Sequence, residues 1–297
     1  MRVRFLAPAL ALALAAPVLA QQQDFSKVEV TSEKVAEGVY MLKGAGGNIG
    51  LSIGPNGSLV IDDQYAPLSD KILAAIKALT PDPVRFVVNT HWHGDHTGGN
   101  ENLARTGAFL VAHENVRKRM GSEQFIAMFN QKVPASPEAA LPVVTFAEGV
   151  TFHWNGDEVR AFHVAPAHTD GDTVVQFVKA DVVHMGDCFF NGSFPFIDTS
   201  SGGKVDGIVA AADRVLGGIT DKTKIIPGHG PVASKADLQA YRDTVKSVRD
   251  RVAKLKAEGK TKEAAVAAKP TAEFDAKWGQ GFIKPDVFVG LVYDSLP

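Results

Sequence analysis

Within His91-Trp92-His93-Gly94-Asp95-His96, three imidazoles and one carboxylate fall in six positions. Structural histidines are satisfied singly by their neighbours. A run of them in one turn instead gathers several lone pairs in a small volume, as a metal ion requires. Neutral imidazole suits zinc and other borderline metals, and the carboxylate offsets part of the cation's charge. Gly94 is expected to let the turn bend where a Cβ would obstruct it. A bound metal could then activate a water molecule or polarise an oxygen.

Placement matters as much as type. Residues 84–88 read as a buried strand, and the histidine run begins just beyond it, so a rigid element fixes the ligands. Before it, short β-rich runs at 27–30, 39–42, 50–53 and 58–61 alternate with glycine turns, as in an antiparallel meander. The spacing of Leu68, Ile72, Ile76 and Leu79 predicts a helix that stops before Pro81. Further strands are expected at 107–112, 143–146, 150–154, 158–164, 173–178 and 182–185, followed by a helix at 205–216. Residues 234–256 form the clearest helix, with a Ser234/Asp237 capping pair and the stripe Leu238, Tyr241, Val245, Val248, Val252 and Leu255. It is expected to pack on a sheet, a coiled-coil dimer being the alternative. The Ala/Lys-rich stretch 254–269 reads as helical and solvated. Two β-rich halves with helices imply an α/β fold of two packed sheets covered outside by helices, a four-layer αββα sandwich, although the pattern also fits other α/β arrangements.

The histidine run resembles that of the metallo-β-lactamase superfamily, and further residues agree in order along nearly the whole mature chain. Asp62, His168, Asp187 and His229 are similar to the family's early aspartate, third histidine, bridging aspartate and last histidine. The resemblance implies a metallo-β-lactamase sandwich with two mixed sheets. It also implies a first metal held by His91, His93 and His168 and a second by Asp95, His96 and His229, with Asp187 bridging. Asp62 would brace the histidine loop, and Asp172 the turn of His168. The implied cofactors are two zinc ions, with iron or manganese accepted by similar donors. Two cations roughly 3.5–4 Å apart share a hydroxide near neutral pH, one polarising the scissile oxygen and the other receiving the leaving group. Asp95 is expected to orient that hydroxide and relay a proton.

Cys188, beside Asp187, resembles the cysteine ligand of some zinc β-lactamases. Those enzymes generally lack the carboxylate and histidine matching Asp187 and His96, and carry a lysine where this chain has Asn191. Adjacent residues point apart, so Cys188 is read as a small buried residue near the ligands and not as one of them. Of the other histidines, His113 and His184 lie nearest the motifs and could support ligands, whereas His153 and His163 are read as structural. The glycine-rich stretch 44–50 lacks the Lys-Ser/Thr of a phosphate loop and reads as a hairpin turn beside the site. In the loop 191–204, Asn191, Phe194 and Phe196 are expected to line a substrate pocket, packing on the surface being the alternative for the rings.

A net charge of -2 with no basic block removes the electrostatic footprint of nucleic-acid binding. Arg2 and Arg4, an apolar Ala/Leu run and Val18-Leu19-Ala20 read as a secretory signal over residues 1–20. Residues 21–297 are then expected as a single domain, periplasmic or secreted, with no membrane span after cleavage. With one cysteine no disulfide forms within the chain, so packing or metal must supply stability. The expected reaction is hydrolysis of an amide, ester or lactone bond in a small-molecule substrate, β-lactams leading. Thioester or phosphodiester cleavage is the alternative on the same site, and iron-dependent oxidation the alternative from another class. Sequence carries no signal for the oligomeric state.

Overall fold

A computed structural model describes residues 24–297, so the expected leader, 1–20, lies outside the described residues. Strands β1 (Thr31–Ala36), β2 (Val39–Lys43), β3 (Ile49–Ser52) and β4 (Ser58–Ile61) pair antiparallel in that order. Strands β5 (Val84–Asn89) and β6 (Phe109–His113) then add in parallel. A separate hairpin, β7 (Gln124–Ile126) and β8 (Gln131–Val133), precedes β9 (Val144–Phe146), which completes the seven-stranded sheet beside β6. In the second sheet β10 (Gly149–Trp154), β11 (Asp157–His163), β12 (Thr173–Phe177) and β13 (Val182–His184) are antiparallel, and β14 (Lys224–Ile226) pairs parallel with β13. Central parallel strands are covered on both faces, which is why β5 carries consecutive buried valines, Val87 and Val88.

Nine helices occur among the described residues: α1 (Ser69–Leu79), α2 (Gly94–Thr97), α3 (Asn100–Arg105), α4 (Glu114–Met120), α5 (Val205–Gly218), α6 (Lys235–Ala257), α7 (Lys262–Ala267), α8 (Asp275–Trp278) and α9 (Pro285–Ser295). Between the sheets, Met41, Leu59, Ile61 and Val88 meet Val159, Val175, Phe177 and Ile226. Outside the first sheet, Ile72 and Ile76 of α1 and Leu103 of α3 pack with Leu51, Val60 and Val87. Outside the second, α5, α6 and α9 bury Ile208, Val245 and Val292 with Val174 and Val183. The layers are therefore helix, sheet, sheet, helix, as expected.

Most expected elements lie within two residues of their predicted bounds, and two readings fail. Residues 27–30 are not a strand: Phe25–Lys27 is a short 3-10 turn. Lys71 Nζ donates to the carbonyls of Phe25, Ser26 and Val28, so those acceptors are satisfied without a sheet partner. Nor is 254–269 one solvated helix. Helix α6 ends at Ala257, Gly259 takes a left-handed φ of 75°, and α7 restarts after its Thr261 cap with Ala265 fully buried.

Candidate metal centre

The candidate ligands stand just beyond the carboxyl ends of strands, several of them parallel-paired, where open α/β sheets place their sites. Asp62 follows β4, the histidine run follows β5, Asp187 lies in the Gly186–Cys188 turn after β13, and His229 follows β14. His168 sits in the turn from β11 to β12. Asp172 holds that turn, its carboxylate accepting from His168 N at 2.7 Å, Thr169 N at 2.9 Å and Thr169 Oγ1 at 2.6 Å. Burial raises the Asp172 carboxyl to about 7 despite these donors.

Hydrogen bonds on the far side of four imidazoles decide which nitrogen faces inward. Thr90 Oγ1 donates its one hydrogen to Asp62 Oδ2 (2.7 Å), so it accepts from His91 Nδ1 (3.1 Å). His96 Nδ1 donates to the same Asp62 oxygen at 2.7 Å, and His168 Nδ1 to the Phe196 carbonyl at 2.8 Å. His93 Nε2 donates to Asp198 Oδ2 at 3.0 Å. Four nitrogens are thus left to face one another. His168 Nε2 and His93 Nδ1 stand 2.8 Å apart, and buried His91 Nε2 has no hydrogen-bond partner. Lone pairs that close repel unless a cation lies among them, so the donors fit a metal.

His91, His93 and His168 form one group able to hold a metal, and Asp95, His96 and His229 another. Asp187 faces both: Oδ2 is 3.5 Å from His168 Nε2 and 3.4 Å from His229 Nε2, and Oδ1 is 3.1 Å from His96 Nε2. All seven side chains expected as ligands are therefore brought together. Burial holds His91 far below its usual pKa and His168 at about 4, leaving both neutral. Burial also disfavours charge at His229, but Asp187 and Asp95 outweigh it and raise the ring to about 9. The second group is thus a site for positive charge.

Two glycines make room for the centre. A Cβ on Gly47 would lie 2.1 Å from the His96 ring, and one on Gly228 2.1 Å from Asp187 Oδ1. Gly94 is not needed in this way, because no atom lies within 4 Å of where its Cβ would be. Gly44 to Asn48 borders the site, as expected, with Asn48 Nδ2 donating to the carbonyls of Pro227 and Gly230. His184 bonds Asn48 O and Gly186 N, supporting the turn of Asp187. His113 instead caps α4 and stacks on His163 at 3.8 Å. Cys188 is buried outside the candidate metal groups, where burial pushes its thiol up.

A cavity of about 520 Å³ opens over the centre, reached by Asp95, Asp187, His93 and His229. Phe196 lines it as expected, but Phe194 and Asn191 do not. Phe194 is 1% exposed and stacks on Phe288 of α9, while Asn191 Nδ2 donates to the Pro231 carbonyl. A regular strand would put both rings on one face, but Phe194-Pro195-Phe196 lies in irregular chain between elements, and its bends carry one ring to the core and the other to the site. Asp198 and Tyr65 escaped the sequence reading. Asp198 stands in Asp198-Thr199-Ser200-Ser201, where its side chain caps a 3-10 turn and could be read as nothing more. Tyr65 lines the cavity, and burial, then Asp95 and Asp187, push its phenol up to about 12, so it remains a hydrogen-bond donor.

Residues 46–255 match the model of the metallo-beta-lactamase superfamily. A metallo-beta-lactamase type 2 of Bacteroides fragilis is 24% identical over 190 residues, 59% of this chain and 68% of that protein. A hydroxyacylglutathione hydrolase of Polaromonas sp. is 28% identical over 159 residues, 53% of this chain and about half (52%) of that relative. Among solved structures, a metallo-beta-lactamase from Pontibacter korlensis superposes with a TM-score of 0.61 at 20% identity, covering 73% of this chain and 99% of that one. DIM-1 metallo-beta-lactamase gives 0.60 at 20%, covering 74% and 99%, so both show the shared fold. The match over 46–255 and the histidine-rich centre agree, and the chain belongs to the metallo-beta-lactamase superfamily of hydrolases.

Proposed function

We propose that this protein is a two-metal hydrolase of an amide, ester or lactone bond, exported to the periplasm or beyond. Asp187 carries the reading: one carboxylate faces both the first three histidines and the Asp95–His96–His229 group, an arrangement suited to a shared pair of ions. Imidazole and carboxylate donors suit zinc, and iron or manganese fit the same set. Two such ions, when bound, supply a water acidic enough to attack near neutral pH and an electrophile for the scissile oxygen.

The chain's own residues do the rest. Asp95 stands at the cavity floor, with Oδ2 3.4 Å from His229 Nε2 and 3.6 Å from His96 Nε2. Burial works against its charge, but His96 and His229 outweigh it and hold the carboxyl at about 2. It is therefore an anion at neutral pH, able to orient the attacking water, accept its proton at the carboxylate oxygen turned away from His96 and His229 and return it to the leaving group. Tyr65 offers a neutral donor to the substrate.

The relatives' names suggest a β-lactam and a thioester as first substrates to try. Zinc-loaded protein tested on β-lactams, lactones, esters, thioesters and phosphodiesters is expected to hydrolyse at least one carboxylic member. Asp95→Asn is expected to lower kcat by about 10²–10⁴-fold. One iron per chain, with oxygen consumed and nothing hydrolysed, would establish the oxidoreductase alternative. Full activity in Asp95→Asn would remove the proton relay.

A further inference from the structure

Aromatic rings form a continuous path from the metal centre to solvent. Phe196 stacks on His93 with centroids 5.8 Å apart, Phe129 lies 5.4 Å from Phe196, and Phe282 lies 5.8 Å from Phe129. These rings come from three separate segments: the β7–β8 hairpin, the loop after β13, and the turn before α9. The two outer ones are 41% and 71% exposed, so despite their mutual contact much of each ring is apolar surface left in water.

Beyond the candidate metal ligands the cavity wall carries no charge: among the described residues, no lysine or arginine lines it. Arg119 is held away by both carboxylate oxygens of Asp170, at 2.7 Å each. Away from the metal centre, the remaining polar side chains on the wall, Tyr65, Gln131 and Ser193, are uncharged. A substrate anion held within the cavity, away from the reacting bond, would lose hydration and find no cationic partner on the wall.

We propose, resting on the hydrolase reading above, that the cavity selects an uncharged ester or lactone carrying an apolar chain or ring. That chain lies along Phe196, Phe129 and Phe282, and substrates with a remote carboxylate or phosphate are disfavoured. Phe129 and Phe282 thereby set specificity.

The zinc-loaded protein is given alkyl esters and alkyl lactones of increasing chain length, each with a twin carrying a terminal carboxylate. A buried methylene contributes about 0.8 kcal/mol, so kcat/KM is expected to rise about threefold to fourfold per added methylene. Each carboxylate twin is expected to be slower by about tenfold or more. Phe129→Ser and Phe282→Ser should flatten the chain-length dependence, and Gln131→Lys should restore the carboxylate twins. Binding of alkan-2-ones, followed by fluorescence of Trp92 on the same wall, gives a readout without turnover. If no amide, ester or lactone is cleaved but ketone affinity rises with chain length and falls in Phe282→Ser, the apolar selection stands and the hydrolase reading fails. Hydrolysis indifferent to chain length, or faster on the carboxylate twins, overturns the selection. So does a dimer of the native protein that Phe282→Ser converts to monomer, since the exposed rings would then serve self-association.

Discussion

Asp62 serves more of the centre than its distance from the cavity suggests. Fully buried, it accepts from Thr90 N, from Thr90 Oγ1 and from His96 Nδ1, so one carboxylate orients both His96 and, through Thr90, His91. Its backbone takes a left-handed φ of 62°, which a short polar side chain tolerates better than a branched apolar one. Asp62→Ala is expected to weaken metal binding by about 10–100-fold, read by competition with a chromogenic chelator. The metal content of a folded Asp62→Ala equal to that of the parent would show that the ligands orient themselves. The seven candidate ligands could be picked out in the sequence because histidine and aspartate in that pattern are metal-binding types, and the fold brings their side chains together. Asp198, Tyr65, Phe129 and Phe282 could not, since nothing local distinguishes a residue that meets the site only through folding. Phe194 and Phe196 show the limit most plainly: two identical rings two positions apart, one in the core and one at the metal centre.

Long periodic elements could be read directly. Helix α6 begins where Ser234 and Asp237 form the expected capping box, and its stripe Leu238, Tyr241, Val245, Val248 and Val252 is buried. Short elements could not be read: α2, α3 and the β7–β8 hairpin are held by tertiary contacts and lack a full period of pattern. Failure at 27–30 has the same origin, because Lys71, far along the chain, supplies the donors that replace a strand partner. The cap itself can be tested. Hydrogen bonds from Ser234, first its side chain and then its backbone, lower the pKa of Asp237 below 3.8. A depressed acid stabilises the folded state above its unfolded pKa and loses that contribution as pH falls through the folded value. Asp237→Ala should therefore cost at most about 1 kcal/mol at pH 7, solvent screening keeping the charge contribution small, and the gap in urea unfolding should narrow as pH falls below about 4. A gap independent of pH would assign the loss to helix propensity.

Across the whole molecule, the two sheets are joined at the centre as well as through their shared core. The first supplies His91, His93, Asp95 and His96, and the second His168, Asp187 and His229. Metal bound only by the folded state stabilises it by mass action, so removal with a chelator is expected to lower Tm. At free metal about 100-fold above Kd the stabilisation is about 2.7 kcal/mol. Calorimetry of metal-free and metal-loaded protein measures it, and equal Tm values would mean that the centre forms without binding tightly. Asn48 ties this junction in sequence as well as in space, reaching Pro227 and Gly230 over 179 and 182 residues. Contacts that remote carry a large loop-closure cost, which slows folding. A chain truncated before β14 can present the first histidines, but the candidate ligand set is complete only once His229, beyond that strand, is in place.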